Sequence, residues 1–156
     1  MRKSGLLKRV ASVAVPAVQR FVAGDCLKEA NVGWTGDNFK RLFLDKIGEN
    51  VPEANLAVSR LEEASLDAPI LKELGDRAEV SLAHMFDLLK RQAHGEEGIL
   101  LTNGYANIFY VHDRNNTLWA VSARWDSARR DWYVEAHSIK NPNGWSDGHL
   151  VFSRDS

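Results

Sequence analysis

Residues 119–136 read WAVSARWDSARRDWYVEA, and the two halves of this stretch mirror each other. Trp119, Val121, Ala123 and Trp125 alternate with small or polar residues. After a polar run at 126–131, Trp132, Val134 and Ala136 do the same. Apolar side chains at every second position put one face of a β-strand against a core. Two such strands around a polar turn make a hairpin, with Trp125 opposite Trp132 and a tryptophan-rich inner face.

Working outward, the same grammar covers the chain from residue 98 onward. Asn103-Gly104 separates an apolar run at 99–102 from another at 105–112, and Asn-Gly adopts the positive φ angles of a tight hairpin turn. Residues 113–116 turn the chain again. Asn141, Pro142, Asn143 and Gly144 break the fourth strand, and 150–152 read as a final one. Setting His112 opposite Thr117 places Tyr110 beside Trp119 and Ile108 beside Val121. Ile99, Leu101, Ala106, Ile108 and Tyr110 then join the tryptophans on one face, and a one-residue slip would scatter them.

Before residue 98 the apolar residues recur at steps of three and four. A helix starting near Thr35 or Asp37 carries Phe39, Leu42, Phe43 and Ile47 and ends at Gly48. Asn50, Val51, Pro52 and Glu53 resemble a helix start with a cap and an early proline. Leu56, Val58 and Leu61 would belong to that short helix. Asp67, Ala68 and Pro69 open the longest one, with Leu71, Leu74, Ala78, Leu82, Met85 and Leu89 on its stripe and His94-Gly95 closing it.

Residues 1–24 are too short and too charged for a membrane span. On a helical wheel Lys8, Arg9, Ser12, Gln19 and Arg20 fall in one arc, which predicts an amphipathic helix over residues 4–23. The expected fold is α+β. About four N-terminal helices would pack on one face of a C-terminal antiparallel meander of four to five strands. The expected organisation is an amphipathic helix and loop at 1–30, a helical region at 31–97 and an antiparallel sheet region at 98–156, together forming one compact domain.

Hydrophobic residues make up 44% of the 156 residues, enough to build a core. The formal net charge is −1, which argues against a nucleic-acid binder. Basic residues are in excess before residue 50 and acidic ones at 51–98. Cys26 is the only cysteine, so neither an internal disulfide nor a cysteine-based zinc site can form within this sequence. A lone cysteine fits a reducing, cytoplasmic location. Its neighbours Asp25, Leu27 and Lys28 give it no activating base. The five histidines show no metal-ligand spacing. No glycine-rich nucleotide loop and no nucleophile elbow occur. Neither a metal nor another cofactor is expected.

If the tryptophans face the core, the opposite sheet face is the surface to examine. It carries Arg124 opposite Tyr133, Glu135 opposite Ser122, and His137 two residues further on. Trp145 sits among turn residues in the segment Gly144–Gly148, where it could cap the sheet or act as an exposed binding anchor. Arg124, Tyr133, Glu135, His137 and Trp145 are therefore the candidate binding residues. The leading expectation is a small intracellular protein-interaction or inhibitory module without catalysis, its partner another protein. An alternative is a small hydrolase such as a nuclease, in which Glu135 and His137 share acid and base roles and Arg124 holds a phosphate. A helical layer preceding an antiparallel sheet of this kind resembles small microbial ribonucleases in architecture. A second alternative is membrane-surface association through the basic amphipathic helix at 4–23, and self-association through its apolar face is a further use.

Overall fold

The computed structural model describes residues 5–155. Its elements in chain order are β1 (Leu7–Val15), β2 (Val18–Val22), α1 (Ala23–Cys26), β3 (Val32–Thr35), α2 (Asp37–Phe43), β4 (Ile47–Val51) and β5 (Ala54–Leu61). They continue with α3 (Asp67–Leu74), a 3-10 turn (Gly75–Arg77), α4 (Leu82–Arg91), β6 (Asn107–His112), β7 (Leu118–Asp126), β8 (Asp131–Ser138) and β9 (Leu150–Arg154). Seven strands form one mixed sheet in the order β1-β5-β9-β6-β7-β8-β3, and β2 pairs with β4 in a separate ribbon.

The mirrored hairpin is β7–β8, with Trp125 paired to Trp132, Ala123 to Val134 and Val121 to Ala136. Beyond it the expected layout of N-terminal helices on a C-terminal meander is overturned. Sheet dominates, and the chain's first half supplies β1, β3 and β5 to the main sheet. The sheet is also not purely antiparallel: β9 runs parallel to β6, and β3 runs parallel to β8. The architectural resemblance to small ribonucleases goes with that layout.

The segment at 1–30 holds two strands and a four-residue helix, not an amphipathic helix; Ser4 and the residues before it lie outside the described residues. Val10, Val13, Val15, Val18 and Val22 are stiff, β-branched side chains that favour extended backbone. An irregularity between Arg9 and Ala11 shifts the alternation of β1 and leaves its period hard to see. A membrane-surface role resting on a helix at 4–23 loses its element.

The region at 31–97 is not uniformly helical either. Phe39, Leu42 and Phe43 are buried by α2 as expected, but Gly48 lies inside β4 and Ile47 is half exposed there. Asn50, at φ 52°, lies within β4, and Pro52 and Glu53 link that strand to β5, where the sequence predicts a short helix. Asp67 does open a helix, yet that helix stops at Leu74. Gly75 takes φ 63°, and the main chain at Glu79–Val80 pairs with Tyr110 before α4 begins. No strand forms at 99–102. Two side-chain amides take the place of a partner strand there. Gln92 accepts from the Leu100 N–H (2.9 Å) and donates to its carbonyl (3.1 Å). Asn107 does the same for Leu101, at 2.8 and 3.1 Å.

The β6–β7 register differs by one residue from the expected alignment: His112 pairs with Leu118, Tyr110 with Ala120 and Ile108 with Ser122. Phe109 and Val111, not Ile108 and Tyr110, therefore share the tryptophan face. Both faces of the sheet are covered. One packs Phe109, Val121, Trp132, Val134 and Phe152 against Phe39 of α2 and Phe86 and Leu89 of α4. The other packs Ile108, Tyr110, Ala120 and Val151 against Ile70 and Leu74 of α3. A strand buried on both sides is apolar throughout and carries no alternation from which to read a register.

Candidate functional site

The end of the second face that α3 leaves uncovered is closed by the loop between β8 and β9. Reciprocal main-chain bonds between Ser65 and Trp145 (2.9 and 2.8 Å) pin this loop to the chain just before α3. Gly144 permits the approach. Its φ is 63°, and a Cβ there would stand 2.6 Å from the Ser65 carbonyl oxygen. Asp67 is the internal anchor, at 1% exposure. Its Oδ1 accepts from the Tyr110 hydroxyl (2.7 Å) and from Trp145 Nε1 (2.8 Å), joining α3, the sheet and the loop through one atom.

A cavity of ≈ 280 Å³ remains, lined by Asp67, Arg124, His137, Asn141, Asn143, Gly144, Trp145, Ser146 and His149. The two imidazoles flank the indole of Trp145 edge-on, at centroid distances of 5.2 Å for His137 and 5.6 Å for His149. His149 Nδ1 accepts from the Ala106 N–H (2.8 Å), so in the neutral ring the proton sits on Nε2, 3.2 Å from the Ser146 hydroxyl. His137 Nε2 lies 3.3 Å from the Ser122 hydroxyl. Arg124 donates to the Gly104 carbonyl (3.3 Å) and has no carboxylate partner among the described residues.

Burial lowers the pKa of His137, with Glu135 opposing, and burial followed by the Arg124 charge lowers that of His149. Both rings are therefore neutral at pH 7. Desolvation also lowers the pKa of Arg124, which nonetheless stays charged. Burial raises the pKa of Asp67, and the bonds from Tyr110 and Trp145 oppose it.

Of the five residues nominated by the sequence, Arg124, His137 and Trp145 meet at this cavity. Trp145 is buried, 8% exposed, and its indole N–H is used internally, so it builds the wall and is not an exposed anchor. Tyr133 and Glu135 hold their expected register but serve the other side of the patch. Tyr133 packs on Trp34 of β3 with ring centroids 5.2 Å apart, and Trp34 is 43% exposed. Glu135 Oε1 accepts from the Ala136 N–H (2.8 Å), and its carboxylate fills the space beside Gly36. It does not line the cavity, and no Arg124–Glu135 ion pair forms among the described residues.

Sequence reasoning missed Asp67, which it read only as a helix start, and His149, which follows the Trp145 loop. The signal available for His149 was its position between that loop and the last apolar run. Cys26 is partly buried, and desolvation raises the pKa of its thiol, away from the reactive thiolate. Among the described residues no group of three His, Cys, Asp or Glu side chains is placed to hold a metal, and no helix is long and apolar enough to cross a membrane. No protein-family model matches the chain, and no curated protein or solved structure matches it at significance.

Proposed function

We propose that the protein is a non-catalytic interaction module whose Arg124 cavity receives an anionic group, a carboxylate or phosphate, presented by a partner protein. The observation that carries this reading is the Arg124 guanidinium at the cavity, without a carboxylate partner among the described residues, beside two neutral imidazoles and the amides of Asn141 and Asn143. Arg presents five N–H donors, and the bond to Gly104 uses one. A planar anion can take two of the others side by side. Asp67 opposes an incoming anion least through Oδ1, which already accepts two hydrogen bonds.

Hydrogen bonding supports binding over catalysis. Both nitrogens of His149 have partners, Glu135 stays outside the cavity, and Asp67 bonds to Tyr110 and Trp145 and to neither imidazole among the described residues, so a hydrogen-bonded carboxylate–imidazole pair for acid–base work is not assembled. The lone cysteine supports a reducing, cytoplasmic setting for this role. The test is calorimetric titration of the full chain with inorganic phosphate and with an Asp/Glu-rich peptide. Saturable one-site binding that weakens about tenfold or more in Arg124→Gln is expected, because a charge-assisted bond is lost. Equal binding by wild type and Arg124→Gln, or turnover of a phosphodiester substrate that His137→Gln abolishes, would overturn the reading.

A further inference from the structure

A larger cavity, ≈ 430 Å³, opens where the β2–β4 ribbon meets the start of α4, and it shares no lining residue with the Arg124 site. Its size lies within the range of about 300–1,000 Å³ typical of small-molecule sites. Phe21, Leu56, Val80 and Leu82 line it and are buried, so its interior is mainly apolar; the buried His84 also lines it, with Nε2 3.1 Å from the Pro16 carbonyl oxygen. Lys46, Glu79 and Arg154 line it as well; Glu79 and Arg154 are exposed and Lys46 partly so, which sets the charges at the mouth.

Those charges are not balanced. Lys46 gives one of its three donors to the His112 carbonyl. Arg154 gives two of its five, to the main-chain carbonyls of Glu79 and Asp76. Neither cation forms an ion pair among the described residues, and the Glu79 carboxylate is taken by the His112 imidazole. Over the lining side chains two cations stand against one carboxylate; Asp113 faces Lys46 from beyond the lining, which leaves Arg154 as the cation to meet a ligand anion. Leu82 and Ala83, the first residues of the ten-residue α4, line the same space. A helix start carries amide N–H groups without intrahelical partners and a partial positive charge. A mainly apolar interior under one available cation matches one kind of occupant.

We propose that this cavity binds a small amphipathic monocarboxylate, its hydrocarbon chain against Phe21, Val51 and Leu56 and its carboxylate at Arg154 and the α4 start. A single chain suits the volume, and a single negative charge matches the mouth better than a dianionic phosphate monoester.

The test titrates the full chain with decanoate and, separately, with decanol, which keeps the chain and removes the charge. Gly48 lines the cavity, and the atoms nearest a Cβ there are Val51 Cγ2 at 3.6 Å and Phe21 Cβ and O at 3.9 Å, ordinary contacts. Gly48→Phe starts from a Cβ in ordinary contact and is the variant chosen to occupy the space. One-site decanoate binding is expected, about tenfold weaker for decanol and for Arg154→Gln, and absent in Gly48→Phe. Failure of decanoate to saturate, wild-type affinity in Gly48→Phe, or equal affinity for decanol and decanoate would overturn the proposal. If Gly48→Phe does not fold, Arg154→Gln and the decanol comparison decide, and unchanged affinity in both overturns it.

Discussion

Replacing Asp67 by alanine should be among the most damaging single changes on the second sheet face. Its Oδ1 is the shared acceptor for the Tyr110 hydroxyl and the Trp145 indole N–H, and all three side chains are buried. Alanine leaves both donors without a partner, and an orphaned buried donor costs about 1–3 kcal/mol. Two of them give about 2–6 kcal/mol, a large share of the roughly 5–15 kcal/mol that holds a typical domain folded. In a chain of this size, 1 kcal/mol moves the midpoint by about 2–4 °C, so the expected drop is roughly 4–24 °C. Asp67→Asn keeps an acceptor oxygen in place and should recover most of the loss. Tyr110→Phe added to Asp67→Ala removes one of the orphans and should recover part of it. The assay is urea unfolding followed by tryptophan fluorescence, with midpoint and slope fitted separately. A cost below about 1 kcal/mol for Asp67→Ala, or an additive double variant, would refute the anchor.

Three further outcomes follow from other contacts. Gly95 sits at φ 77°, and a Cβ there would stand 2.5 Å from Trp125 Cζ2. Gly95→Ala should cost about 1–3 kcal/mol in backbone strain alone, with a changed near-ultraviolet spectrum from the Trp125–Trp132 pair. Gln92→Ala removes the amide that brackets Leu100, so amide exchange at Leu100 should accelerate while that of β7 and β8 stays slow. Burial lowers the pKa of His84, His137 and His149, so near pH 6 each binds fewer protons folded than unfolded. Their stability contribution is present above the unfolded value of about 6.5 and is lost as pH falls toward the depressed folded values, so urea midpoints should fall between about pH 7 and 5. Asp67 has the opposite sign: its raised pKa stabilises the fold below the ordinary carboxylate range, and that contribution fades as pH rises through the folded value. A His84→Gln variant with an unchanged pH profile would count against the histidine assignment.

The hairpin at 119–136 was legible because β8 alternates buried and less buried positions, and β7, though buried on both faces at 120–123, keeps Trp119, Val121, Ala123 and Trp125 on one face and Ala120, Ser122 and Arg124 on the other. β6 and β9 are buried on both sides, and their runs, Ile108–Phe109–Tyr110–Val111 and Leu150–Val151–Phe152, carry no phase. That is why the β6–β7 register could be drawn one residue off with an equally apolar result. The N-terminal strands were hidden differently: a shift in the alternation of β1 gave residues 4–23 a persuasive wheel. β3 escaped notice because Gly33 and Gly36 mark a loop, while the parallel pairing that makes it a strand comes from β8. The same division holds for the site. Arg124 and His137 could be found because β7–β8 register alone places them on one face. Asp67 and His149 reach the cavity through α3 and the β8–β9 loop, contacts that no local pattern encodes.

The most direct measurement of the Arg124 site is residue-resolved magnetic resonance of the full chain during titration with inorganic phosphate. The guanidinium N–H signals of Arg124, the ring signals of His137 and His149 and the Trp145 indole N–H should move together and saturate with one dissociation constant. Shifts confined to other surface cations, or a response at Arg124 that stays linear with concentration, would contradict an anion-receiving cavity.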